Sequence, residues 1–231
     1  RREVLGAVLA TSAAGALGLL DDLAEDTSTR TKGLRGHLGA LATGTVTTGA
    51  LKIVGISGAS VLAGAVLVGG SGARADGRLG RSVDALTAGA LIAGTANLVN
   101  LLDLRPGRAR KAVLLAAVPL TATAGCGLAS AVIGSAASGL GEDLAERDML
   151  GDAGANALGA LLGAAAVVGT SRAVRAGLLA GVVALTVASE RVSFSAVIER
   201  TRWLRALDSL GRRPVALSRP EPDDEVLDPP V

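Results

Sequence analysis

Aromatic residues are nearly absent from this 231-residue chain, which has one Phe, one Trp and no Tyr. The belts of Trp and Tyr that usually mark a membrane–water boundary are therefore missing. A single cysteine, Cys126, excludes an internal disulfide, and a single histidine, His37, excludes a His-rich metal site. Charge is scarce, at 19% of residues against about 25% in ordinary soluble domains. A net charge of +2 is too small to argue for nucleic acid as a partner. Lysine is rare as well: Lys32, Lys52 and Lys111 stand among 20 arginines.

What remains is apolar and small. Hydrophobic residues make up 49% of the chain and the mean hydropathy is +0.48, which excludes disorder as its main state. The 45 alanines and 32 glycines allow helices to approach closely inside a bilayer, where lipid tails give no hydrophobic drive for association. Apolar segments cover residues 4–20, 37–54, 56–70, 82–102, 111–123, 125–140, 153–170 and 173–190. A spanning helix needs about 20 mostly apolar residues, and 4–20, 37–54, 82–102, 153–170 and 173–190 meet or approach that. The 111–140 stretch reads as one long tilted helix or as two short ones broken at Gly125-Cys126-Gly127. Segment 56–70 is short and Gly-rich and reads as re-entrant or peripheral. Backbone in lipid must satisfy its own hydrogen bonds, so the spans must be helices. The expected fold is all-α, a multi-pass transmembrane helical bundle of about seven spans.

Three units are expected along the chain. Residues 1–190 form the membrane unit, 191–213 a basic amphipathic juxtamembrane segment, and 214–231 a disordered tail. The tail holds five of the seven prolines and sets Arg219 against five carboxylates, a net −4. Residues 191–213 set six arginines against Glu199 and Asp208, and Trp203, Leu207 and Leu210 share one helical face, as suits a helix lying on an anionic leaflet. The chain starts at Arg1 without a Met and is read as a fragment or a shortened version of a longer protein.

Positive charge in the loops 21–36, 103–111 and 191–213 assigns them to the cytoplasm. An even number of crossings must then separate each pair. Between 36 and 103 one of three apolar segments must not span, and 56–70 is the choice. The same parity favours two short helices within 111–140. Its consequence is that 71–81, with Arg74, Arg78 and Arg81, faces outside against the charge rule.

Carboxylates and amides collect at the inner face. Asp21 and Asp22 close the first span; adjacent carboxylates repel, so one should hold its proton or a cation should hold both, with a solvated helix terminus as the structural alternative. Asn97, Asn100 and Asp103 follow an i, i+3, i+6 spacing along one helical face, either lining a wet cavity or bonding between helices. Asp152 opens the 153–170 span, where an N-cap role is the structural alternative. Lys32 lies in TKGLRG, and Arg105, Arg108, Arg110 and Lys111 read first as positive-inside charge. Taken together, these groups read as a site for a cation and a phosphate.

The ordered series GLLDD (18–22), TKGLRG (31–36), NLVNLLD (97–103) and LGDAGANALG (150–159) resembles the polyprenyl-phosphate N-acetylhexosamine-1-phosphate transferases. That family includes phospho-N-acetylmuramoyl-pentapeptide transferase and the WecA-like enzymes. The resemblance covers about residues 4–190. It implies a ten-helix transferase with two helices missing upstream and one downstream, serving cell-envelope glycan assembly at the plasma membrane with a cytoplasmic active site. The implied reaction moves a sugar 1-phosphate from a UDP-sugar to polyprenyl phosphate and releases UMP. The implied roles are Mg²⁺ held by Asp152, the lipid phosphate or its proton handled by Asp21 and Asp22, phosphates contacted by Lys32 and Asn100 (with Asn97 beside them), and the nucleotide faced by Asp103. The partners implied are the polyprenyl lipid, the nucleotide sugar and the membrane, with a homodimer also among those expected. Three departures stand out: Pro106 replaces the second aspartate of the family's DGLDG, Met149 replaces an aromatic before the metal aspartate, and SERVSFSAVIER (189–200) stands in place of a His-rich loop. The alternatives are a diverged enzyme with DLRPGR as a replacement pocket, or an inactive homologue acting as a scaffold or regulator of envelope assembly.

Overall fold

A computed structural model describes residues 1–24, 48–69 and 77–212. Lys32 and the rest of TKGLRG, residues 37–47 and the tail 214–231 lie outside the described residues. Among the described residues every regular element is helical: α1 (Arg2–Ala24), α2 (Thr48–Val68), α3 (Gly77–Leu102), α4 (Arg108–Ala117), a 3₁₀ segment (Val118–Ala122), α5 (Cys126–Ser138), α6 (Leu140–Leu144), α7 (Gly151–Gly169), α8 (Arg172–Ser189), α9 (Phe194–Arg200) and α10 (Arg202–Ser209). Five of them, α1, α2, α3, α7 and α8, are long and apolar enough to cross a membrane.

Residues 56–68 are not the short separate piece expected, but part of a helix long and apolar enough to cross a membrane. α2 runs unbroken from Thr48 to Val68 and takes in the apolar ends of both 37–54 and 56–70. Gly55, read as the boundary, is instead a packing position: a methyl there would meet Leu17 Cδ1 at 2.6 Å. The end of α1 and the start of α2 lie at the same end of the bundle, where Lys52 pairs with Asp21. α2 and α3 are both long and apolar enough to cross a membrane, and the start of α3 lies at the opposite end of the bundle. There Arg2 donates to the Gly69 carbonyl (3.0 Å) and Arg172, at the start of α8, pairs with Asp84.

The 111–140 stretch is a broken pair, as parity favours. The break begins earlier than expected, with Pro119 near the start of the 3₁₀ segment. This hairpin reaches the far end of α7, since a methyl on Gly125 would come within 3.1 Å of Gly169 Cα.

α7 is the central helix, packed on α1, α3 and α5 and buried over most of its length, whereas α8 is almost wholly uncovered. Its approach to α3 depends on missing side chains: a methyl on Gly159 would meet Ala96 Cα at 2.7 Å, and one on Gly163 would meet Ile92 Cα at 2.7 Å. Such backbone proximity is what small residues provide between membrane helices.

Candidate functional site

The C-terminal ends of α1 and α3 and the N-terminal ends of α2 and α7 meet at one pole of the bundle. Asp21 and Asp22 arrive on α1, Lys52 on α2, Asp103 just after α3, and Asp152 in the first turn of α7. The Lys52 ammonium lies between two carboxylates, 2.6 Å from Asp21 Oδ2 and in direct contact with Asp152 Oδ2. All three side chains are largely sheltered, at 15, 22 and 31% exposure for Lys52, Asp21 and Asp152. An ionisable group within an apolar helix needs a partner, and here the partners come from two other helices.

The adjacent acids do not share a cation. Asp21 turns to Lys52, while Asp22 accepts hydrogen bonds from the backbone N–H groups of Asp152 (3.2 Å) and Ala153 (3.1 Å). Asp22 thereby supplies, from another helix, the cap that the start of α7 lacks: its N-cap residue Leu150 makes no side-chain cap. A carboxylate there also matches the positive end of the α7 dipole. Asp152 is therefore not the N-cap of α7. Gly151, with φ +61°, makes the left-handed turn that aims these N–H groups at Asp22.

Asp103 joins the same pole through a backbone hydrogen bond from Gly151. Its pKa rises from 3.8 to about 6, first because it is partly buried and then because Asp143 is near; the Gly151 bond and Arg110 oppose the rise, and Asp152 adds to it. The folded state then holds a proton that the unfolded chain has lost between about pH 4 and 6. This contribution is fully present below pH 4 and is lost as pH rises through 6. Relative to Asp103→Asn, the wild-type protein should lose thermal stability in detergent as pH rises from 4 to 6. Parallel melting curves for the two proteins across that range would remove the shift.

Asn97 and Asn100 occupy the last turns of α3, half-buried at this pole. Among the described residues neither amide bonds to the four carboxylates, and the Asn100 carbonyl accepts from the Asp103 N–H (3.1 Å). No three His, Cys, Asp or Glu side chains among the described residues gather closely enough to hold a metal ion by themselves.

The basic turn after α3 is not loose surface charge. Arg108, 4% exposed, makes a bidentate pair with Asp208 (2.6 and 3.1 Å) and donates to Ser195 Oγ (2.9 Å). Arg110 pairs with the fully buried Asp143 (3.1 Å), whose other oxygen accepts the Gly107 N–H (2.9 Å). Lys111 donates to the carbonyls of Leu207, Asp208 and Leu210, and Arg105 pairs with Glu199. These cations fasten α6, α9 and α10 to the turn, so DLRPGR as a replacement nucleotide pocket has no uncommitted cation in this arrangement.

Sequence reasoning missed Lys52 and Asp143. Lys52 carried a signal, being one of three lysines and lying inside an apolar segment. Asp143 carried none, because GEDLAERD reads as a solvated loop. Comparison with protein-family models, with curated proteins and with solved structures gives no match to this chain.

Proposed function

We propose that the chain is a membrane phosphotransferase that moves a sugar 1-phosphate, an N-acetylhexosamine 1-phosphate in the family it resembles, from a UDP-sugar to polyprenyl phosphate. The observation that carries this reading is the meeting of Asp21, Asp22, Asp103 and Asp152, drawn from separate motifs, at one pole of the bundle. In the reaction an oxygen of the lipid phosphate forms a bond to the sugar-bearing phosphorus, and the bond from that phosphorus to UMP breaks. Two anions must meet, so their repulsion has to be offset before attack.

Lys52 supports the electrostatic part of this reading. It is a sheltered cation held between carboxylates, poised to pair with a phosphate oxygen. The donor set also fits Mg²⁺, which is usually held by one or two carboxylates together with substrate phosphates and water. Asp152 and Asp21 already hold a cation jointly, in the form of the Lys52 ammonium. When bound there, Mg²⁺ would neutralise phosphate charge. Asp22 holds α7 so that Asp152 faces Lys52, and Asp103 bonds to the same turn.

A count of basic side chains supports a cytoplasmic site. Among the described residues, Lys52, Arg105, Arg108, Arg110, Lys111, Arg147 and five further arginines after α8 lie toward the site pole, against six toward the opposite pole. With seven crossings, the α4–α5 hairpin counting as two, the site faces the cytoplasm and the start of α3 faces out. In a Cys126→Ala background, Leu79→Cys should react with an impermeant maleimide in intact cells and Ser209→Cys only after lysis. The reverse pattern would invert the orientation.

The second reading, an inactive homologue serving as a scaffold, draws on one observation: Lys52 already neutralises both Asp21 and Asp152. The two readings separate in a transfer assay with full-length protein, polyprenyl phosphate, Mg²⁺ and a panel of labelled UDP-sugars. The enzyme reading expects Mg²⁺-dependent label in lipid and stoichiometric UMP. Absence of both across the panel would favour the scaffold.

A further inference from the structure

We propose that α10 is a binding surface for anionic phospholipid headgroups, fastened to the turn beside Asp103. The bundle itself fixes which way the helix faces. Asp208 is buried against Arg108, and Lys111 donates to carbonyls at the end of α10, so the side bearing Asp208 and Leu204 is the docked one. At about 100° per residue, Trp203, Leu207 and Leu210 then form a stripe roughly 110° from that side, with Arg202 and Arg205 about as far round on the opposite flank. The exposures agree: Trp203 is 64% exposed, Leu210 65% and Leu207 40%.

An apolar stripe with arginine on the polar face is the pattern of a helix lying in the plane of a membrane surface. Its depth is set by chain continuity. α8, long and apolar enough to cross a membrane, ends at Ser189, and α9 begins at Phe194. Charge selects the occupant. Arg200, Arg202 and Arg205 are exposed and in no ion pair among the described residues, whereas the acids of this segment are taken: Glu199 by Arg105, Asp208 by Arg108. Unpaired arginine at this depth complements the phosphates of an anionic leaflet. The transferase reading is not needed for any of this.

Trp203 makes the test direct, because it is the chain's only Trp and there is no Tyr. The purified full chain is reconstituted in vesicles that contain equal mole fractions of phosphatidylcholine and phosphatidylglycerol, with one or the other lipid brominated. Quenching of Trp203 by the brominated anionic lipid should correspond to a local enrichment of at least about fivefold. Arg200→Gln with Arg202→Gln and Arg205→Gln should bring that enrichment to about one, while the triple Lys variant should keep it. Equal quenching by both lipids in the wild-type protein would overturn the proposal, leaving an interfacial helix with no choice of headgroup. Weak quenching by either lipid would also overturn it, and would assign the stripe to a protein partner or a second copy.

Discussion

Asp152→Asn is expected to fold and to fail. Loss of one preorganised electrostatic contact typically costs about 10²–10³ in rate, and Mg²⁺-dependent UMP release should fall by that much. The structure explains why stability should be spared. The N–H groups that open α7 are capped by Asp22, so the Asp152 side chain carries no capping duty. Its remaining structural bond is to Lys52, whose ammonium keeps the Asp21 carboxylate as a charged partner when Asp152 loses its charge. An amide at 152 can still accept from the Lys52 ammonium. Wild-type turnover in this variant would leave the Lys52 pair as a purely structural bridge.

The second large effect is expected away from the carboxylate site. Asp143→Ala should destabilise the protein by about 3–5 kcal/mol, the range observed when one member of a buried pair is removed. Asp143 is fully buried, pairs with Arg110 and accepts the Gly107 N–H. Gly107 holds φ +71° at the start of α4, so the variant would orphan a buried cation and a turn N–H together. Asp143→Asn keeps an acceptor for Gly107 and should cost less. Midpoints from detergent melts of the three proteins should rank wild type, Asn, Ala; equal midpoints for Ala and wild type would refute the assignment.

The reach of the sequence differed from element to element. α1, α7 and α8 were legible because each is an uninterrupted apolar run near span length. α2 was not, because Gly55 looks like punctuation in one dimension and is a contact with Leu17 in three. That Asp21, Asp22, Asp103 and Asp152 would meet at one end of the bundle was legible through the order of their motifs, yet the partner each one takes was not. Asp22 and Asp152 are neighbours only because α1 and α7 are antiparallel. Arg108 and Arg110 read as loop charge, since the acids they pair with lie 100 and 33 residues away.

The cap that Asp22 places on α7 also bears on how the protein is made. Its two N–H partners lie 130 and 131 residues further along the chain. At a synthesis rate of about 5–20 residues per second, on the order of ten seconds separates the emergence of Asp22 from that of its partners. By the end of that interval α1, α2 and α3 have all been made, while the face of α3 that α7 will cover has waited for it. α7 can therefore pack on α1 and α3 only after both have been made, and its glycines leave room for that packing.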